Sequence, residues 1–130
     1  MKVIHVSGKR KTAIARATLK QGNGIIKINS KNIDIYEPKM YRLKIKEPLI
    51  LAEDSAKKVD ISINIKGGGQ ASQAEASRLV IGKALVRFHP PLKKTFLNYD
   101  RHLLIADVRR KEAYKPNDSK ARAKRTKSYR

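Results

Sequence analysis

The chain has no cysteine, so it can form neither disulfides nor thiolate metal sites. It also lacks long apolar runs. None exceeds the four residues of Leu49 to Ala52, against the roughly twenty that a spanning helix needs, and no stretch has a signal peptide's apolar region. The expectation is a soluble, non-exported, cytoplasmic chain. Acidic residues are scarce: 11 Asp/Glu face 31 Lys/Arg in 130 residues, a formal net charge of +20, and none precedes Asp34. Self-repulsion on that scale destabilises a compact state unless a polyanion neutralises it. The charge therefore indicates permanent contact with nucleic acid more than with a membrane surface.

The scarcity is sharpest at the end. Residues 109–130 contain no Leu, Ile, Val, Phe or Met, and carry ten Lys/Arg against two acids, Glu112 and Asp118, a net +8. Such a segment has no apolar surface with which to offset the entropy of ordering, so its order must come from a partner rich in phosphate. Residues 1–108 carry the remaining 21 bases and nine acids, a net +12, enough chain for one modest core. We read a globular α+β RNA-binding body over 1–108 and an extended basic tail over 109–130.

Within the body, Val3 to Val6 and Thr12 to Lys20 read as strands separated by a Ser7 to Lys11 turn. Gln21-Gly22-Asn23-Gly24 reads as a tight reversal that pairs the second strand with a third from Ile25 to Ile28, extended by Ile33 and Ile35. The stretch between Pro38 and Pro48 is ambiguous, and Leu49 to Ala56 reads as one or two helical turns. Val59 to Lys66 alternates strictly and predicts a strand with one buried face. After Gly67-Gly68-Gly69, Ser72-Gln73-Ala74-Glu75 has the form of a capping box opening a helix that ends before His89-Pro90-Pro91. Its expected inward stripe is Ala74, Ser77, Ile81, Ala84, Leu85 and Phe88, with Gln73, Arg78 and Lys83 outside. A shorter helix follows from Pro91 to Asn98, with Leu92, Phe96 and Leu97 inward. Strands first and helices later predict an α+β sandwich.

The glycine triplet between strand and helix suits either a plain tight turn or the close approach of an RNA backbone. It lacks the Gly-Lys-Ser/Thr ending of a nucleotide-binding loop, because Gln70-Ala71-Ser72 follows. His5, His89 and His102 are too scattered for metal ligation, so no metal and no cofactor is expected. Asp100 and Asp107 flank Arg101 and Arg109 and read as ion-pair partners, not as general acids or bases, so no enzyme is expected. Lys9-Arg10-Lys11, with Lys2 and Arg16, forms a basic cluster, which Lys20 and Lys27 extend. Tyr114 and Tyr129 interleave with tail bases and suit stacking or hydroxyl-to-phosphate contacts.

Ordered motifs over nearly the whole chain resemble the universal small-subunit ribosomal protein nine family, in its archaeal/eukaryotic-type branch. They are Gly8-Lys9-Arg10-Lys11-Thr12-Ala13-Ile14-Ala15-Arg16, Lys66 to Gly69 with Gln73-Ala74, Gly82-Lys83-Ala84-Leu85, the junction residues Asp107, Arg109, Arg110 and Glu112, and the ending Lys127-Ser128-Tyr129-Arg130. Three departures stand out: Val108 in place of the usual proline, Lys115 to Lys120 in place of a glycine-rich stretch, and Arg125 in place of an aromatic residue. The resemblance implies a two-layer sandwich, a sheet with helices on one face and a left-handed β-α-β crossover. It also implies a place in the head of the small subunit, in contact with small-subunit ribosomal RNA and neighbouring head proteins, with no membrane and no small-molecule substrate. The implied ribosomal-RNA contacts are Gly8, Lys9, Arg10, Lys11, Arg16, Lys66, Gly67, Gly68, Gly69, Arg109, Arg110, Lys120, Arg122, Lys124 and Arg125. Lys127, Ser128, Tyr129 and Arg130 are the implied contacts to the peptidyl-site transfer RNA. The alternatives are a free-standing chromatin or RNA-chaperone protein using the same charge and, more remotely, an enzyme binding nucleotide at Gly67 to Gly69.

Overall fold

The computed structural model describes residues 2–114 and Pro116. Five strands, β1 (Ile4–Arg10), β2 (Ala13–Gln21), β3 (Ile26–Ile28), β4 (Lys31–Asn32) and β5 (Val59–Lys66), form one mixed sheet in the order β1-β2-β5-β3-β4. Four helices accompany it: α1 (Lys39–Ala52), α2 (Asp54–Lys57), α3 (Gln70–Phe88) and α4 (Leu92–Tyr99). Two 3₁₀ turns, Ile33–Ile35 and Arg101–Leu103, complete the elements. This is the expected α+β two-layer sandwich.

The alternation in β5 predicted its bounds to the residue: Val59, Ile61, Ile63 and Ile65 are buried and the residues between them face out. The matching inward row on β2 is small, Ala13, Ala15 and Ala17 before Leu19, which lets α3 settle close on the sheet. At Gly8 the approach is so close that a Cβ would lie 2.8 Å from Leu79 Cδ2. Among the described residues no helix covers the opposite sheet face. It presents Ser7, Arg16 and Asn64 in one cross-strand row and Lys20 opposite Asp60 in another.

The sequence-based hairpin between the second and third strands does not form. β5 inserts between them, pairing antiparallel with β2 and parallel with β3, so β3 reaches β5 through a β-α-β crossover containing α1 and α2. The reversal at Gly22 to Gly24 is instead laced to β5: Gly22 and Gly24 amides donate to Lys58 and Val59 carbonyls, and Asp60 accepts from the amides of Asn23 and Ile25. Both faces of this choice are physical. The fully apolar row of β5 is best buried in the middle of the sheet, whereas short β3 suits its margin.

Further expectations are corrected. Ser7 to Arg10 continue β1, leaving only Lys11-Thr12 as the turn. Ile33 and Ile35 lie in a 3₁₀ turn. The ambiguous stretch after Pro38 is α1, which runs through Pro48; the lost backbone donor is tolerated because Ile45, Pro48 and Ala52 are buried on one face. The capping box is not used either. The left-handed Gly67 (φ 78°) and Gly68 (φ 70°) turn the chain straight into α3 at Gln70, and Gln73 Nε2 donates back to the Gly67 carbonyl. Arg78 is buried, not outward, and Leu97 is exposed, not inward.

Candidate nucleic-acid interface

Three motifs that are distant in the chain converge at one end of the sheet. The β1–β2 turn places Lys11 in the left-handed region (φ 54°), a conformation usually left to glycine, asparagine or aspartate. The β5–α3 glycines lie directly against this turn: a Cβ at Gly67 would come within 2.7 Å of the Thr12 carbonyl oxygen, and one at Gly68 within 2.8 Å of Ala13 Cβ. The root of the tail closes the group, because an Arg110 guanidinium N–H donates to the Lys11 carbonyl and Arg10 Nη1 donates to the Arg109 carbonyl at 3.2 Å. Lys9, Lys11, Lys66, Gly67, Gly68, Gly69, Arg109 and Arg110 are all exposed here. Backbone amides at the start of the 19-residue α3 share this end, and the helix dipole adds positive potential to the lysines and arginines.

Arg10 behaves differently from its neighbours. Its side chain is only 11% exposed, and its Nε donates to Glu75 Oε2 at 2.5 Å while Nη2 lies 3.7 Å from Asp107 Oδ2. Lys44 reaches the other Glu75 oxygen at 3.0 Å, and Arg109 forks onto Asp107 at 2.6–3.0 Å. Arg10 thus ties β1, α3 and the tail root together. Of the Lys9-Arg10-Lys11 cluster, Lys9 and Lys11 have no acidic partner within 4.0 Å among the described residues. Gly8 lies beneath α3, where its role is packing. The second network is equally internal: buried Arg78 donates to Glu47 at 2.9 Å and Asp100 at 3.0 Å, so Asp100 pairs with Arg78, not with Arg101. Sequence reasoning missed Arg78 because a helical stripe records polarity, while a buried arginine depends on partners 31 and 22 residues away.

These pairings perturb the carboxylates. The hydrogen bonds from Arg109 hold Asp107 far below its ordinary value. Burial pushes Glu75 and Asp100 up, but Lys44 and Arg10 for the first, and the His102 amide with Arg78 for the second, outweigh it and hold both low. A depressed carboxylate adds stability above its unfolded value, near 3.8 for Asp and 4.5 for Glu, and loses it as pH falls toward the folded value. The urea midpoint of the free protein is therefore expected to hold between pH 7 and about 5 and to fall steadily below about 4. In an Arg10→Met variant that acid fall should be shallower, since Glu75 and Asp107 each lose a partner. Equal slopes in parent and variant would show that the network does not couple to folding.

Arg16 and Lys66 are exposed on the helix-free sheet face in adjacent cross-strand rows. Lys120, Arg122, Lys124, Arg125 and Lys127 to Arg130 lie outside the described residues, as does Tyr129. Tyr114 is described, with the Lys111 ammonium 5.2 Å from its ring centre. His5 Nδ1 lies 3.2 Å from Thr18 Oγ1, His89 is exposed, and His102 Nδ1 lies 3.3 Å from the Ile105 carbonyl. Among the described residues no group of three His, Cys, Asp or Glu could hold a metal, and no helix is long and apolar enough to cross a membrane.

The sandwich and its cationic end define a small basic α+β protein. Residues 8–130 match the family described as ribosomal protein S9/S16. The chain is 52% identical over 134 aligned positions to the small ribosomal subunit protein uS9 of Methanococcus maripaludis strain C7, and 48% identical to that of Methanococcus vannielii, with all of each chain covered. The chain belongs to the ribosomal protein S9/S16 family. Its relatives are named as small ribosomal subunit proteins, which are not enzymes.

Proposed function

We propose that this protein is a structural constituent of the small ribosomal subunit. Its body is anchored on small-subunit ribosomal RNA in the head, beside other head proteins, and its tail, residues 109–130, reaches the peptidyl-site transfer RNA. One observation carries the reading: Lys9, Lys11, Lys66, the glycine turn, Arg109 and Arg110, from three separate parts of the chain, meet at one exposed end of the sheet. Phosphate contacts of this kind position a protein without reading bases, which suits an RNA fixed in place by its own fold. The ion pairs of Arg10 and Asp107 set where the tail leaves the body, at the same end as the other cations.

Sedimentation of a lysate tests the anchoring. Stoichiometric recovery with small subunits through a moderate salt wash is expected, and a soluble or nucleoid pool would favour a free-standing nucleic-acid binder. Deleting Lys127 to Arg130 tests the tail. Assembly should stay nearly intact, while filter binding of transfer RNA to programmed small subunits should weaken by about 1 to 2 kcal/mol, an effect that shrinks as ionic strength rises. Equal affinities of full-length and truncated particles at low salt would remove the tail's transfer-RNA role.

A further inference from the structure

A groove of ≈ 800 Å³ runs along the free edge of β1, away from the glycine turn. Arg16 from β2, Lys83 and Arg87 from α3 and Lys93 from α4 line it together with Ser7 and Thr18, and among the described residues no carboxylate does. The contrast with the cleft at the tail root is instructive. There Arg10, Lys44, Arg78 and Arg109 are offset by Glu47, Glu75, Asp100 and Asp107. In the β1-edge groove none of the four cations has an acidic partner within 4.0 Å among the described residues. Four unpaired cations around one concavity raise the local concentration of an anion.

The edge itself narrows the choice of ligand. Free strand edges usually invite another strand, through their unpaired carbonyls and amides. Here Lys83 Nζ donates to the Ser7 carbonyl at 3.1 Å and Arg87 Nη1 donates to the His5 carbonyl at 2.9 Å. The i, i+4 spacing on α3 matches the two-residue repeat of outward carbonyls on β1, so strand addition by a peptide is blocked at both. Each side chain uses one N–H in this way, leaving two on the ammonium and four on the guanidinium. Ser7, Thr18 and Asn64 add small polar groups suited to ribose hydroxyls and phosphate oxygens. The Arg16–Asn64 row is also one side-chain step, about 7 Å, along the sheet from the Ile14–Lys66 row at the glycine turn.

We propose that the β1-edge groove is a second RNA-backbone site, in which Lys83, Arg87 and Lys93 take phosphates of a strand continuing from the glycine-turn end. The proposal rests on the ribosomal-RNA reading above. Full-length protein is titrated onto small-subunit ribosomal RNA across a salt series. Lys83→Gln, Arg87→Gln and Lys93→Gln together should flatten the slope of log affinity against log salt by about 2 to 3 units, at roughly 0.7 to 0.9 for each contact. Lys9→Gln with Lys66→Gln reports the glycine-turn end in the same assay. If that pair flattens the slope and the groove triple does not, the groove is overturned and the ribosomal reading stands. If neither flattens it, both are overturned. Lys83 and Arg87 also hold β1, so Lys93→Gln alone, which breaks no hydrogen bond seen here, serves if the triple variant fails to fold. A drop of about 0.8 units supports the site and an unchanged slope overturns it. A photocrosslinker at position 93 in assembled subunits should join RNA, and a crosslink to protein alone would overturn the assignment.

Discussion

Gly68→Val is expected to lower the melting temperature of the free protein by about 15 °C. Gly68 sits at φ 70°, where a side chain costs about 1 to 2 kcal/mol and a β-branched one more. The added Cβ would lie 2.8 Å from Ala13 Cβ and 3.0 Å from the Ala13 amide nitrogen, so the β1–β2 turn must shift, at about 1 to 3 kcal/mol. A total near 3 kcal/mol is a large share of the roughly 5 to 15 kcal/mol that holds a domain together. Gly69→Ala is the internal control. Its φ is −97° and nothing lies within 4 Å of the new Cβ, so free-protein stability should change by less than about 0.5 kcal/mol. Gly69→Ala protein that folds normally yet enters subunits poorly would locate RNA backbone on the turn. A normal melting temperature for Gly68→Val would show that the turn does not constrain the fold.

Arg10→Met should destabilise the free protein by about 2 kcal/mol, whereas Lys9→Gln, one residue away, should be neutral. Removing one member of a fully buried ion pair costs about 3 to 5 kcal/mol. The lower figure applies here because Glu75 is a third exposed and keeps Lys44, and Asp107 keeps Arg109. Arg10→Lys should recover only part of the loss, since one ammonium cannot reach Glu75, Asp107 and the Arg109 carbonyl as the fork does. Chemical denaturation of the three variants measures this. In RNA titrations the order should reverse: Lys9→Gln lowers the salt slope by about 0.8, and Arg10→Met leaves it unchanged wherever the protein is folded. A lower slope for folded Arg10→Met would make Arg10 an RNA ligand after all. The comparison separates two adjacent basic residues that composition treats alike.

What the sequence by itself determined was whatever local periodicity and composition encode. The strict alternation from Val59 to Lys66 marked β5 with its buried face, because a side-chain period of two leaves no other way to gather four β-branched residues on one side. The apolar stripe and His89-Pro90-Pro91 marked the end of α3. The lack of core-forming residues after Val108 is the ground for expecting a tail from Arg109 onward, and among the described residues beyond it, 109–114 and Pro116, there is no helix or strand. The family motifs marked which short segments to watch, but not how they meet.

Tertiary structure decided everything that depends on partners remote in the chain. Gly22 to Gly24 is a sound local reversal, yet β2 and β3 do not pair, since burying the apolar row of β5 between them removes more surface from water than a direct hairpin would. Pro48 reads locally as a helix boundary and is overridden by the packing of α1 on α3. Lys9 and Arg10 look equivalent in the chain. Strand alternation puts Lys9 on the open face, while Arg10 at the strand end meets Glu75, 65 residues away, and the tail root, 99 residues away. Charge can be counted from a sequence, but whether a cation is spent on an internal carboxylate or left for phosphate is settled only when long-range packing chooses its neighbours.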